Sequence, residues 1–473
     1  MTSDKGKEIV DGESTSVHIK DESIVEGLKN TIEDKLRCHS HSPLLPSCCI
    51  FRVPEVIRRQ KVEAYEPNIV SIGPIHGHPR GKKFEPFEGV KKWYLQCLLS
   101  SSTDIRLESL IKMIMELYKS ARDCYADALD GLNREEFVEM MILDGCFLLE
   151  LFRKEYLYGQ QENPEPDPIF NVSCMREHLY HDLLLLENQL PWSVLECLNN
   201  LTANSPSQRG ASLTLLVLKF FIQSEADLLM LNIKSMPQYE ILHILDLVRA
   251  AIVDGYNLEK SNDPETSNEQ VENQQTKREL KLPQRIPNAT ALSKAGIKFK
   301  NIQKEGECIL NIEFNEKNGV LKIPVLGIDE RTGPLFRNLI AFEQCHSRPR
   351  HKITSYAVLM DNLIDSKEDV DFLCDKGILA NWLNPEDAAQ FFNKIYNDTT
   401  VVDYNYRGLS EKVHAYYETK WHRFMEILRR DYFSTPWAII SFIAAFILLA
   451  LTLLQTLYTI PWSELIFVNF LQY

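Results

Sequence analysis

The chain has 473 residues and a formal net charge of −14. An acidic surface repels phosphate backbones, which argues against nucleic acid as a partner. Glycine is scarce at 19 residues, leaving few places where backbone could approach a nucleotide phosphate closely.

Residues 1–45 are polar and aperiodic and are expected to form a disordered tail. The opening MTSDKGKEIVDG holds no apolar run, so no signal peptide is visible, and no glycine at position 2 invites myristoylation. From Cys49 the character changes. Pro54, Pro67, Pro74 and Pro79 cut an apolar-rich stretch into extended pieces and turns. Gly73, Gly77 and Gly81 lie near His76 and His78, but Lys82-Lys83-Phe84 does not complete a phosphate loop, so a structured connector is expected.

Helical spacing follows. Leu107, Leu110, Ile111, Ile114, Leu117, Tyr118, Ala121, Tyr125 and Ala128 recur as one face. Asn133 then caps a second helix with Glu135 and Glu136 in its first turn. Its stripe, Phe137, Met140, Met141, Phe147, Leu148 and Leu151, includes Asp144. An acid there is either a general acid or base with a raised pKa or, the favoured reading, a structural carboxylate bonded to a helix end or an arginine. Residues 160–168 read as a polar loop. Residues 175–188, MREHLYHDLLLLEN, put His178 and His181 on one helix face with Asp182 and Glu187 nearby. That face could hold a metal if a third ligand arrived, but the spacing is not H-E-x-x-H, and two hydrogen-bonded histidines are the favoured reading.

A helix restarts after Pro191, and 213–222 and 239–253 are further apolar helices. Residues 255–283 are almost free of aliphatics and read as a disordered insertion. Asn288 caps ATALSKA, which Gly296 ends. Strand-like stretches at 308–314 and 320–326 flank Asn318-Gly319, a hairpin signal, so a small antiparallel sheet is expected within 297–326. Helices are then expected after Gly333-Pro334 and over 353–364, 370–374, 385–395 and 409–428.

Residues 436–460 carry no charge and exceed the ~20 residues that span a bilayer core, so a transmembrane helix over 434–461 is expected. Pro436 suits its first position, Phe442, Phe446, Leu449 and Leu453 lie within it, and Trp437, Tyr458 and Trp462 bracket it as an aromatic belt. Lys420, Arg423, Arg429 and Arg430 precede it, while residues 462–473 form a short tail without Lys or Arg. The basic side favours the cytosol, so the body, residues 46–433, is expected there. Sequons at Asn171, Asn200, Asn288 and Asn397 are the opposing, weaker signal for an outward-facing body.

Eleven cysteines without a C-x-x-C pair suggest reduced thiols in a cytosolic setting. Cys97, Cys124, Cys146 and Cys197 fall in apolar helical patterns, and adjacent Cys48 and Cys49 suit neither a standard disulfide nor zinc. No Walker loop, dinucleotide fingerprint, G-x-S-x-G elbow, kinase motif set or solenoid period occurs. No cofactor or metal is expected.

FRVPEVIRR with EAYEPNIVSIGPIHG, FVEMMILDGCFLLELF, DLLLLENQLPW, NLIAFEQC and ITSYAVLMDNLIDSKEDVDFLCDKGIL, in this order, resemble a plant family catalogued as domain of unknown function 247. The resemblance spares only the first 45 residues. It implies a largely helical protein with one C-terminal span, resident in the plasma membrane or endomembranes. In grasses, family members are implicated in self-incompatibility recognition. It carries over no catalytic residue.

The expected fold is therefore mainly α: a large helical body, a small antiparallel β element and one C-terminal transmembrane helix. The expected function is a membrane-anchored interaction or signalling component with a protein partner and no catalytic activity. The alternatives are a membrane-bound enzyme using Asp144 or the His178/His181 face, and an outward-facing receptor-like recognition protein.

Overall fold

The computed structural model describes residues 24–34, 47–77, 82–101, 105–127, 129, 131–158, 166–202, 211–223, 227, 231, 240–253, 285–302, 308–346, 351–401, 403–419 and 436–459. The chain divides into two units, Met1–Cys48 and Cys49–Tyr473. In the first, residues 24–34 form a helix, where a disordered tail was expected. Ile24, Val25, Leu28 and Ile32 are exposed on it. Their spacing is that of one helix face, which is the local reason for the helix.

The second unit starts with single helical turns at Glu55–Arg58, Val62–Ala64 and Pro74–Gly77. Among the described residues eight helices follow: α1 (Glu85–Ser101), α2 (Leu107–Arg122), α3 (Arg134–Tyr158), α4 (Ser173–Leu183), α5 (Trp192–Leu201), α6 (Leu213–Phe220), α7 (Ile244–Val253) and α8 (Ala289–Lys294). The centre is α3, which packs on α1, α2, α5 and α6. Residues 140–153 of α3 are buried without exception, so this helix is enclosed on all sides rather than amphipathic. Gly145 allows α5 to approach, since a Cβ there would collide with Leu198. The expected cap is present: Asn133 Oδ1 accepts from the Glu136 amide at 2.8 Å and Glu136 Oε2 from the Asn133 amide at 3.2 Å, a reciprocal capping pair.

Strands β1 (Lys298–Ile302), β2 (Glu313–Asn315) and β3 (Val320–Pro324) form a sheet of order β1-β3-β2. The hairpin expected at Asn318-Gly319 is β2–β3, and Gly319 turns it at φ +61°. The expectation of a purely antiparallel element is corrected, because β1 pairs with β3 in parallel. A second sheet, invisible in the sequence, pairs β4 (Leu326–Ile328) in parallel with β5 (Leu379–Asn381). Helices α9 (Thr332–Cys345), α10 (Lys352–Leu363), α11 (Lys367–Asp375), α12 (Pro385–Lys394) and α13 (Arg407–Glu418) complete this half. The insertion expected at 255–283 lies outside the described residues.

The terminal segment is helical, α14 (Pro436–Thr459), and Trp437, Phe442, Phe446, Leu449, Leu453 and Tyr458 are exposed along it. Its role is corrected. Among the described residues no helix is long and apolar enough to cross a membrane. The transmembrane helix, the single-pass topology and the membrane residence with a cytosolic body are therefore not supported. Trp462, Lys420, Arg423, Arg429 and Arg430 lie outside the described residues.

Candidate functional site

Between the three helical turns, residues 50–77 run through the helical body without regular structure, and their sole β contact among the described residues is an isolated bridge between Ile50 and Tyr125. Buried amides without a sheet need other acceptors. Side chains supply them. Asp182 accepts from the amides of Asn68, Ile69 and Val70 at 2.7, 2.8 and 2.9 Å. Asn188 accepts from Ile72 at 2.7 Å and donates to Val70 O at 3.1 Å. Asp144 accepts from the Gly73 amide at 2.9 Å. Glu187 accepts from the Val53 amide at 2.6 Å and from Arg58. Gly73 has φ +70°, and a Cβ there would lie 2.7 Å from Gln189 O, so only glycine fits without strain.

Asp144 is thus a structural carboxylate by its geometry, but its partner is Lys91 rather than a helix end or an arginine. Lys91 Nζ lies 2.6 Å from Asp144 Oδ1 and 2.8 Å from Glu88 Oε1, and donates to Ser71 O at 2.5 Å. Burial alone would raise the Glu187 carboxyl. Hydrogen bonds from His76, Arg58 and the Val53 amide outweigh burial and hold it below the ordinary carboxylate range. The same logic recurs in α9. Glu343 accepts from Arg249, the Ile353 and Thr354 amides and the Thr354 hydroxyl. Asn338 accepts from the Leu186 amide at 3.0 Å and donates to Ala64 O at 2.8 Å.

The helix expected over 175–188 stops at Leu183. That break turns Glu187, Asn188 and Gln189 inward, all of them buried. His178 and His181 remain on α4. They do meet at a cavity, of about 180 Å³, with Asn68, Tyr180, Arg331 and Asn338. His181 Nδ1 lies 2.9 Å from Asp182 Oδ1 and 3.0 Å from Asn68 Nδ2. Among the described residues no three His, Cys, Asp or Glu side chains are placed to hold a metal.

A wider cavity of about 510 Å³ shares Glu177, Glu330 and Arg331 with the first and adds Arg176, Gln223, Asp329 and Trp382. The β4–β5 pair builds its far wall. Asp329 follows β4, and Trp382 follows β5 with its amide on Ile328 O at 2.9 Å. Arg331 Nη2 lies 2.8 Å from Asp329 Oδ2 and 3.1 Å from Asp227 Oδ2, and its guanidinium sits 4.7 Å over the Tyr180 ring. Burial would raise the Asp329 carboxyl, but Arg331 and Thr332 hold it down. Tyr180 donates to Asp227 Oδ1 at 2.8 Å, and burial next to that carboxylate pushes its hydroxyl well up. Arg176 pairs with Glu155 at 3.0 Å. Glu177, which lies 3.7 Å from Arg331 Nε, and Glu330 are exposed beside Trp382, which is 52% exposed.

Sequence reasoning missed Lys91, Arg331, Asn338, Glu343 and Trp382. The available signal was the cluster of polar residues inside apolar runs, E-N-Q after LLLL and the Asn and Glu of NLIAFEQC, because an interior polar group requires partners. Of the sequons, Asn171, Asn200 and Asn397 are exposed, whereas Asn288 uses its side chain to cap α8, accepting from Ala291 at 3.1 Å.

These features define a mainly helical protein in which buried carboxylates and amides clasp an irregular segment, with a polar groove beside the clasp. The family model described as plant protein of unknown function, domain of unknown function 247, matches residues 50–451, and the chain belongs to that family. It is similar to the Arabidopsis thaliana UPF0481 protein At3g47200, at 31% identity over 87% of this chain and 86% of the relative. It is also similar to the Putative UPF0481 protein At3g02645 of the same plant, at 24% identity over 97% of this chain and 98% of the relative. No solved structure matches.

Proposed function

We propose that the chain is a protein-interaction component of plant recognition or signalling, and that its groove receives a basic segment of a partner protein. The observation that carries this reading is Trp382, more than half exposed at the mouth of the groove. Tryptophan is the residue type most enriched among binding hot spots. The acidic groups around it, Glu177 and Glu330, suit a lysine or arginine next to an apolar anchor. By contrast, the interior acids Asp144, Asp182, Glu187 and Glu343 are engaged by amides and cations of the fold.

A photo-crosslinking amino acid at Trp382, introduced in plant cells, should yield a discrete protein adduct that the same probe at exposed Val62 does not. Reversing Glu177 and Glu330 to lysine should abolish the adduct. Adducts that survive the reversal, or equal labelling from both positions, would remove the reading.

One observation favours a catalytic alternative: His181 lines the smaller cavity with its ring against Asp182, as an oriented base would be. Loss of turnover of some substrate in His181→Ala, with the crosslink unchanged, would favour it.

A further inference from the structure

Two cysteines of the second unit lie side by side at the entrance of the clasped segment. The amides of Cys49 and Ile50 both donate to Cys124 O at 2.9 Å, and the Ala126 amide returns a bond to Ile50 O at 3.0 Å. The Ile50–Tyr125 bridge is parallel, so Cys49 and Cys124 precede it in matching positions. Paired backbones run about 4.8 Å apart, inside the Cα separation of about 4.4–6.8 Å that a disulfide accepts. Both are thiols in this structure. Cys49 is buried, whereas Cys124 is half-buried, with its thiol 3.3 Å from Ser120 O.

We propose that Cys49 and Cys124 form a peroxide-responsive thiol pair, with Cys124 the attacking sulfur and Cys49 the resolving one. The Cys124 thiolate attacks hydrogen peroxide, the O–O bond breaks, and the sulfur, oxidised by two electrons, becomes a sulfenic acid. The hydroxide released takes up a proton as water. The Cys49 thiol then displaces the sulfenic hydroxyl. The S–S bond forms, the S–O bond breaks, and the thiol proton leaves with the hydroxyl as a second water. The hydrogen bond from the Cys49 thiol holds the Cys124 thiol below its usual range against burial and the nearby Asp123 and Glu240 charges, which increases the thiolate that peroxide meets. The disulfide would fasten the start of the clasped segment to the end of α2.

The test uses the full chain, reduced and then treated with equimolar hydrogen peroxide. Trypsin releases Cys124 alone in peptide 123–134, and Cys49 with Cys38 and Cys48 in peptide 38–52. The expected product is this pair of peptides joined with loss of two hydrogens, the fragment ions placing the link on Cys49. Slower hydrogen exchange at Ile50 and Ala126 should accompany it. Cys49→Ser should leave a dimedone-reactive sulfenic acid at Cys124, and Cys124→Ser should leave none at Cys49. Oxidation of exposed Cys174 before Cys124, or a link through Cys48, would overturn the pair. The wild-type peptide map decides the matter even if a serine variant does not fold.

Discussion

Lys91 Nζ lies 2.6 Å from Asp144 Oδ1, and neither side chain is exposed to solvent. The pair joins α1 to α3 and, through Ser71 O and the Gly73 amide, ties both helices to the clasped segment. Removing Lys91 strands the buried Asp144 charge, which costs about 3–5 kcal/mol. Lys91→Met should therefore lose most of that range in urea denaturation, and Asp144→Ala, which leaves Lys91 Nζ paired with Glu88 at 2.8 Å, should lose less. Lys91→Met with Asp144→Leu, which removes both charges, should cost less than the two single losses added together. A sum equal to the singles would mean the two charges do not interact.

Asp182 is the acceptor for three consecutive amides, of which Val70 is buried. An orphaned buried donor costs about 1–3 kcal/mol. Asp182→Ala should destabilise by about that amount or more, and hydrogen exchange at Val70 should accelerate relative to amides in α3. Unchanged protection at Val70 would contradict the clasp.

Gly73 should not tolerate a side chain. Alanine there meets both a positive φ and the Gln189 carbonyl, and strain of this kind costs about 1–3 kcal/mol. The Tm of Gly73→Ala should fall, whereas Gly89→Ala, with open space around its Cβ position, should leave Tm unchanged or raise it slightly.

Acid should weaken the fold in two windows. His243 is fully buried, and burial pushes its pKa down to about 3. Unfolded histidine titrates near ~6.5, so the unfolded state takes up the proton first and stability declines as pH falls from there towards 3. Glu187 is held below its ordinary range, so its contribution, present above the unfolded value of ~4.3, is lost as pH falls through the lower folded value. Tm should decline from about pH 6.5 and more steeply below about pH 4.3. Glu187→Gln should flatten only the lower window.

Local patterning decided a good deal of this protein on its own. The helices over 107–122 and 332–345 follow from apolar spacing, which needs no knowledge of neighbours. Asn133 and Asn288 mark the caps of α3 and α8 because a side-chain oxygen reaches an amide three residues away. The hairpin at Asn318-Gly319 is equally local, since its turn demands a positive φ. Family membership also rested on short blocks read in order.

The fold alone decided which residues of those blocks meet. Asp144, Asp182 and Glu187 are far apart in sequence from the amides at 53 and 68–73 that they hold. The parallel β4–β5 pair, which carries Arg331 and Trp382 to one groove, joins segments about 50 residues apart and so leaves no hairpin signal to read. The histidines at 178 and 181 were legible as one helix face, but the cavity they border depends on α9 folding over it. The charge-free run near the C-terminus was legible as a helix, since composition and spacing are local, but the span read from it is not supported, because among the described residues no helix is long and apolar enough to cross a membrane.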